Sequence, residues 1–369
     1  MPHTFIFYLL GTILSFVLSL IFMPVFGMTA IKIGLVDKPD HRKKHQNHIP
    51  LVGGLAIGFT LLLLIFLLIG MEHISGSALK LMGGSYVLLV IGAIDDKYDV
   101  KALTKLIIQL ICATIIAMAG YKLTSMYGIL GFYELPVSMQ YLFSILLVTG
   151  VINAFNLMDG IDGLAGGLML IGFLILAAIS YYIGHEFYTM VSLIIVGSLF
   201  GFLRYNLFGG ERKIFMGDAG SLFLSFLMIG IAIDLINISA THLIGSEIIW
   251  LLPLIMAIFV IPVVDSLRVY FVRIKKGNSP FKADRSHIHH LFLEMGFRQR
   301  KVTFIITMLS LCIVILTFLL HFIFSIDSII LGIVVVLSIM YYILNINKQV
   351  NEWQEKIKKL ESQGMESQA

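Results

Sequence analysis

Of the 369 residues, 58% are hydrophobic and only 13% are charged, with a formal net charge of +4. Soluble domains carry about 25% charged residues, so a water-soluble fold is excluded, and this apolar content suffices for on the order of ten or eleven spans of about 20 residues each. The two cysteines, Cys112 and Cys312, both fall in apolar runs and read as small buried hydrophobes rather than a disulfide or metal pair.

The first apolar run, 5–33, lacks a basic leading segment and outlasts a signal-peptide core, so it is expected to persist as a membrane helix. Further runs follow at 50–70, 79–94, 103–120, 139–155, 164–183, 187–204, 219–237, 247–272, 302–322 and 326–345. In lipid the backbone needs internal hydrogen bonds, and the alternation of a membrane barrel is absent. The expected fold is an all-α polytopic membrane protein, a bundle of about 11 transmembrane helices. The bias of Lys and Arg in short loops puts the N-terminus outside and the C-terminus cytoplasmic. On that map the inner face receives loops 36–49, 95–105, 153–167, 205–221 and 273–301, with all but Lys80 and Lys122 of the 26 Lys and Arg residues. Residues 1–345 then form one transmembrane domain carrying the site, and 346–369 a charged cytoplasmic tail. In the tail Val350, Trp353, Ile357 and Leu360 recur at helical spacing, which fits either an interfacial amphipathic helix or a frayed solvated one. The outer connection 121–138, with Gly, Tyr and a Pro, reads as a small packed lip.

Acids are costly in a membrane and mark function, and here they cluster at inner helix ends. Asp95, Asp96 and Asp99 lie in GAIDDKYDVKALTKL; if helical geometry persists, Asp95 and Asp99 share a face and call for a cation, with Lys97, Lys101 and Lys105 at hand. In NAFNLMDGIDGLAGG, Asn156, Asp159 and Asp162 recur every third residue among glycines, offering hard oxygens of the kind magnesium prefers and backbone that a ligand can approach. Asp218, in RKIFMGDAGSLFLS, precedes the eighth run with Ser221 nearby; it suits an N-cap, but its place beside the other acids favours metal binding. In the loop RIKKGNSPFKADRSHIHHLFLEMGF, Asp284 or Ser286 can cap a short helix ended by Gly296. The histidines there lack an accompanying Cys and sit among basic residues, so phosphate or sugar recognition suits them better than zinc. Asp265, near Arg268 and Arg273, reads as orienting that loop. Asp234 is the exception, near an outer helix end.

Together, DKPDHRKKHQNHIPLVGG, DDKYD, NAFNLMDGIDGLAGG, FMGDAGSL and ADRSHIHHL, in this order over roughly residues 34 to 296, resemble the polyprenyl-phosphate N-acetylhexosamine-1-phosphate transferases, the glycosyltransferase-4 membrane family. The resemblance implies ten or eleven helices and a cytoplasmic active site. Asp99 at the end of the DDxxD motif and the run His287-Ile288-His289-His290 look like the WecA/TagO type rather than the muramoyl-pentapeptide branch. That type transfers GlcNAc-1-phosphate from UDP-GlcNAc to undecaprenyl phosphate and releases UMP, an early membrane step of cell-envelope polysaccharide synthesis in the bacterial cytoplasmic membrane. The resemblance further implies Mg²⁺, with Mn²⁺ as a substitute, held by Asn156 and Asp218. Asp162 would hydrogen-bond the uracil and Phe215 stack on it. Lys105 would contact the pyrophosphate, with Asp95 and Asp96 positioning it and the lipid phosphate, while Asp99 belongs with the substrate-binding group. Asp159 would support the metal and nucleotide region, and His287, His289 and His290 close over the sugar and phosphates. The expected partners are a UDP-sugar, a polyprenyl phosphate and the bilayer, with no nucleic acid; a homodimer is left open. The other readings are the same reaction with a different UDP-N-acetylhexosamine or a muramoyl-pentapeptide donor, a secondary transporter, whose sites lie nearer the midplane, and a noncatalytic scaffold.

Overall fold

The computed structural model describes residues 2–37, 48–70, 74–242, 248–279 and 286–366. Twelve helices follow in chain order: α1 Pro2–Ile33, α2 Gly53–Leu64 with a wider turn at Ile65–Ile69, α3 Gly76–Tyr98, α4 Ala102–Met118, α5 Val137–Met158, α6 Leu164–Ile183, α7 Glu186–Phe208, α8 Gly217–His242, α9 Ile248–Lys275, α10 Ile288–Glu294, α11 Gln299–Leu320 and α12 Ile326–Glu366. Among the described residues, nine helices are long and apolar enough to cross a membrane, and the shorter apolar helices Gly53–Ile69 and Ala102–Met118 match the other two expected runs. The chain is an all-α polytopic membrane protein.

The hub is α8, buried along nearly its whole span, whereas α1 and α12 are mostly exposed and so face lipid. Around α8 pack α2, α3, α5, α6 and α9, while α1 packs on α7. Close approach at the first turn of α8 depends on glycine. A Cβ on Gly54 would stand 2.1 Å from the Gly220 Cα, and one on Gly92 would stand 2.4 Å from backbone atoms of Ala219. Small residues that let backbones meet are the usual device for helix packing in lipid.

A short antiparallel pair, β1 Val36–Asp37 and β2 Ile49–Pro50, precedes α2. Its continuation bonds to the segment entering α8. Phe215 N donates to Pro50 O at 2.9 Å, Gly53 N to Phe215 O at 2.9 Å and Gly54 N to Met216 O at 3.0 Å. These bonds are why α2 starts at Gly53 rather than at residue 50. Most of the 36–49 loop, part of 273–301 including Asp284, and the side chains of Val350, Trp353, Ile357 and Leu360 lie outside the described residues.

The last helix runs on to Glu366, beyond the apolar run that ends at 345, because no Pro or Gly interrupts the helix-forming tail before Gly364. Two expectations change. Cys112 is buried, but Cys312 is exposed, on the face of α11 turned away from the bundle. Helix α10 begins at Ile288 with His287, not Ser286, as its N-cap residue and with no side-chain cap bond there; Asp284 lies outside the described residues, and Gly296, at φ 85°, follows the helix end. The 121–138 connection does pack as a lip, its start held by Asn237, whose amide donates to Lys122 O at 3.0 Å. Asp234 is satisfied at the same end of the bundle, accepting from Tyr188 Oη, which also meets Tyr121 Oη at 2.9 Å.

Candidate active site

At the opposite end, the C-terminal turns of α3 and α5 meet the N-terminal turns of α4 and α8. Asp95 and Asp96 occupy the last turn of α3 because that helix continues through Tyr98. The Asp96 carboxylate reaches across to α8, accepting from Asp218 N at 2.9 Å and Ala219 N at 3.2 Å. It thus caps a helix to which it does not belong, where unpaired N–H groups and the dipole favour an anion. Gly217, at φ 73°, makes room, since a Cβ there would lie 2.4 Å from Asp96 Oδ2. The same bonds fix the direction in which Asp218 leaves the helix.

Lys105, one turn into α4, joins the two sides. Its Nζ lies 2.5 Å from Asp95 Oδ2 and 2.9 Å from Asp218 Oδ2. The other Asp95 oxygen accepts from Val100 N at 2.7 Å. The Asn156 amide lies 3.0 Å from Asp218 Oδ1 and 2.9 Å from Ser221 Oγ. Because amide oxygen and nitrogen interchange by a flip, Asn156 can equally present an oxygen beside that of Asp218. Asp159, just after α5, is held well above the usual carboxylate range, first by burial and then by the charges of Asp218, Asp96 and Asp162.

Beyond the glycine turn, Asp162 pairs with Lys213 at 2.6 Å, and the Lys213 ammonium lies 5.1 Å from the Phe215 ring centroid. Lys213 was not singled out from sequence; its position in KIFMGD, two residues before the aromatic, was the available signal. It occupies both groups expected to meet the nucleotide base. Thr303 Oγ1 donates to Asp162 O at 2.6 Å, so α11 helps hold this turn.

The histidine run packs against the same turn. A Cβ on Gly160 would stand 2.6 Å from His289 Nε2, and the His289 ring lies 4.3 Å from that of His290 and 5.9 Å from that of His287 between centroids. Asp99 stands apart. It terminates α3 in the left-handed region at φ 54°, its N–H bonded to Asp95 O. Its side chain is exposed, so the expected shared face with Asp95 does not form.

His289 is 1% exposed, and its pKa is pushed down to about 3, by burial first and then by His290. It is therefore an uncharged group at neutral pH. Below the unfolded value of about 6.5 the unfolded chain binds a proton that the folded one does not, so this site's stability contribution is complete above that pH and lost as pH falls. Asp159, with its raised pKa, acts in the opposite sense, losing stability as pH rises. The expected result is that His289→Gln flattens the fall in melting temperature between roughly pH 6.5 and pH 4.5; an equally steep fall in the variant would show that another group is responsible.

The sequence pattern of glycosyl transferase family 4 matches residues 78–236, which span most of this constellation. An undecaprenyl-phosphate alpha-N-acetylglucosaminyl 1-phosphate transferase of Yersinia pestis is 34% identical over 297 residues, covering 79% of this chain and 79% of the relative. The protein of the same name from Escherichia coli K12 is 33% identical over 298 residues, covering 79% and 78%. A Bacillus subtilis protein named "probable undecaprenyl-phosphate N-acetylglucosaminyl 1-phosphate transferase" is 33% identical over 330 residues, covering 86% and 83%.

Proposed function

The chain belongs to glycosyl transferase family 4, and from that premise we infer that it transfers N-acetylglucosamine 1-phosphate from UDP-N-acetylglucosamine to undecaprenyl phosphate, releasing UMP, in the bacterial cytoplasmic membrane. The observation that carries this reading is the convergence of Asp95, Lys105, Asn156 and Asp218 at one end of a membrane bundle. A lipid whose tail stays in the bilayer can bring its phosphate only to such a place.

The cofactor we propose is Mg²⁺, replaceable by Mn²⁺, held by Asn156 and Asp218. The donor set fits, being hard oxygens on two helices. Among the described residues no group of three or more His, Cys, Asp or Glu gathers to make an all-protein cage; magnesium is commonly held by one or two protein oxygens and completed by substrate phosphates and water. When bound, the ion would neutralise pyrophosphate charge and stabilise the departing UMP.

The acceptor is a phosphate monoester whose second ionisation lies near pH ~6, so at neutral pH it is already a dianionic nucleophile and needs little base assistance. The Lys105 ammonium offsets repulsion between the two anions, and Asp95 orients it. Direct attack of the lipid phosphate on the β-phosphorus breaks its bond to the bridging oxygen, and that oxygen leaves with UMP. Both Asp95 oxygens are engaged, by Lys105 and by Val100 N–H, and both Asp96 oxygens cap α8, which argues against an aspartyl intermediate on either. Lys213 must leave Asp162 and Phe215 for the base to use them.

An apolar cavity of about 340 Å³ between α5, α8, α9 and α12 is closed by Leu123 and Met126 of the 121–138 lip and so lies at the end of the bundle opposite the carboxylates.

Purified protein given UDP-GlcNAc, undecaprenyl phosphate and Mg²⁺ is expected to release UMP only when the lipid is present, and chelation is expected to stop it. Covalent labelling of the protein by the radioactive donor without lipid would overturn direct attack. Absence of turnover in folded protein across a panel of UDP-sugars would overturn the reading itself.

A further inference from the structure

Asp265, near the end of α9, is completely buried, and it is the meeting point of α9, α10 and α12. One of its oxygens, Oδ1, accepts from Arg268 Nη2 at 3.1 Å, from the first N–H of α10 (Ile288 N) at 3.0 Å and from Tyr341 Oη at 3.1 Å. The other, Oδ2, faces His287 Nδ1 at 2.8 Å. Arg268 also donates to Ser286 O and lies over the Tyr341 ring, 4.4 Å from its centroid. The carboxylate therefore fastens the start of the histidine run to two membrane helices.

This arrangement determines which imidazole nitrogen carries hydrogen. With Oδ1 taken by three donors, one of them a guanidinium that balances the charge, the carboxylate is an acceptor only. The nitrogen facing Oδ2 must then be the donor, and a neutral ring keeps its lone pair on Nε2. That nitrogen is buried in a residue only 4% exposed and has no hydrogen-bond partner among the described residues. A buried polar atom left without a partner is costly and needs explanation. His287 lies parallel to His289, at an interplanar angle of 7°, and His289 in turn packs on Gly160.

Resting on the sugar-nucleotide reading above, we propose that Asp265 is a positioning residue that locks His287 in the Nδ1–H tautomer, so that Nε2 is presented as a bare acceptor to a hydroxyl or amide N–H of the donor sugar. Carboxylates orient metal-ligating imidazoles in this way elsewhere, and removing them costs about 10- to 100-fold in metal affinity or activity; an Asp-to-Asn change can leave geometry intact while imposing the wrong tautomer.

Two measurements test it. In full-length protein labelled with [15N]histidine in detergent, the ring signals assigned to His287 by their loss in His287→Gln should show hydrogen on Nδ1; hydrogen on Nε2 would overturn the proposal without any change at Asp265. In kinetics, Asp265→Asn should lower kcat/KM for UDP-GlcNAc by about 10- to 100-fold while leaving the KM for undecaprenyl phosphate in place. In the His287→Gln background the same change should add less than about twofold, because positioning acts only through the imidazole. Losses that multiply would mean that Asp265 merely holds the fold, and would overturn the proposal. If wild-type protein turned over no UDP-sugar, the functional reading would fail while the ring spectrum still decided the tautomer.

Discussion

Asp218→Ala is expected to lower UMP release by at least about a thousandfold, the scale of removing a principal electrostatic group from a phosphoryl-transfer site. Three groups converge on this side chain or its backbone: Asn156 on Oδ1, Lys105 on Oδ2 and Asp96 on the N–H. The substitution deletes the carboxylate but leaves the backbone N–H bonded to Asp96, so the first turn of α8 stays capped. Lys105 keeps Asp95 as a partner. Loss of one charge also relieves Asp159, which the Asp218 carboxylate opposes. The variant should therefore be folded but inactive. Binding of Mn²⁺ with UDP-GlcNAc, followed by electron paramagnetic resonance, should weaken in parallel. Near-normal Mg²⁺-dependent turnover in Asp218→Ala would refute the metal assignment, and an unfolded variant would show that the carboxylate is required for folding.

Much of this site was legible from residue type and position alone. Each expected span has its helix because length and apolarity in lipid leave the backbone one solution. The grouping of Asp95, Asp96, Asn156 and Asp218 followed from where their apolar runs end, since helix ends that share a membrane face must lie in one layer. Spacing failed where one residue's backbone decided the outcome. Asp99 looked like a helical neighbour of Asp95, but a left-handed turn at φ 54° carries it into solvent, a conformation that Asp tolerates better than most residues. The cross-helix cap by Asp96 and the Lys213 pair with Asp162 join positions 122 and 51 residues apart, and no local period reports such a meeting. Asp265 was read as an orienting residue because its arginines were near in sequence, yet Tyr341, 76 residues on, could not have been found that way.

Lys105→Met is expected to lower kcat/KM for UDP-GlcNAc by at least about a hundredfold, and it should also destabilise the protein. The ammonium bridges Asp95 and Asp218, with its own side chain 22% exposed and that of Asp95 7% exposed. Removing one partner of a largely buried ion pair typically costs about 3–5 kcal/mol, because it strands the other charge, and here two carboxylates are stranded together beside Asp96 and Asp159. Both effects have one cause. The cation that keeps the acids together at rest is the one proposed to meet the donor pyrophosphate, so its loss raises both the anionic repulsion within the empty site and the barrier to admitting a second anion. Lys105→Arg should restore much of the melting temperature but little of the turnover, since a planar guanidinium forms the pairs without reproducing a compact point charge between two oxygens. Measuring melting temperature and kcat/KM on the same three preparations separates the roles. Should Lys105→Met keep wild-type kcat/KM, Lys105 is only a structural counter-ion; should Lys105→Arg restore turnover as fully as stability, any cation at that position suffices and the point-charge geometry is irrelevant.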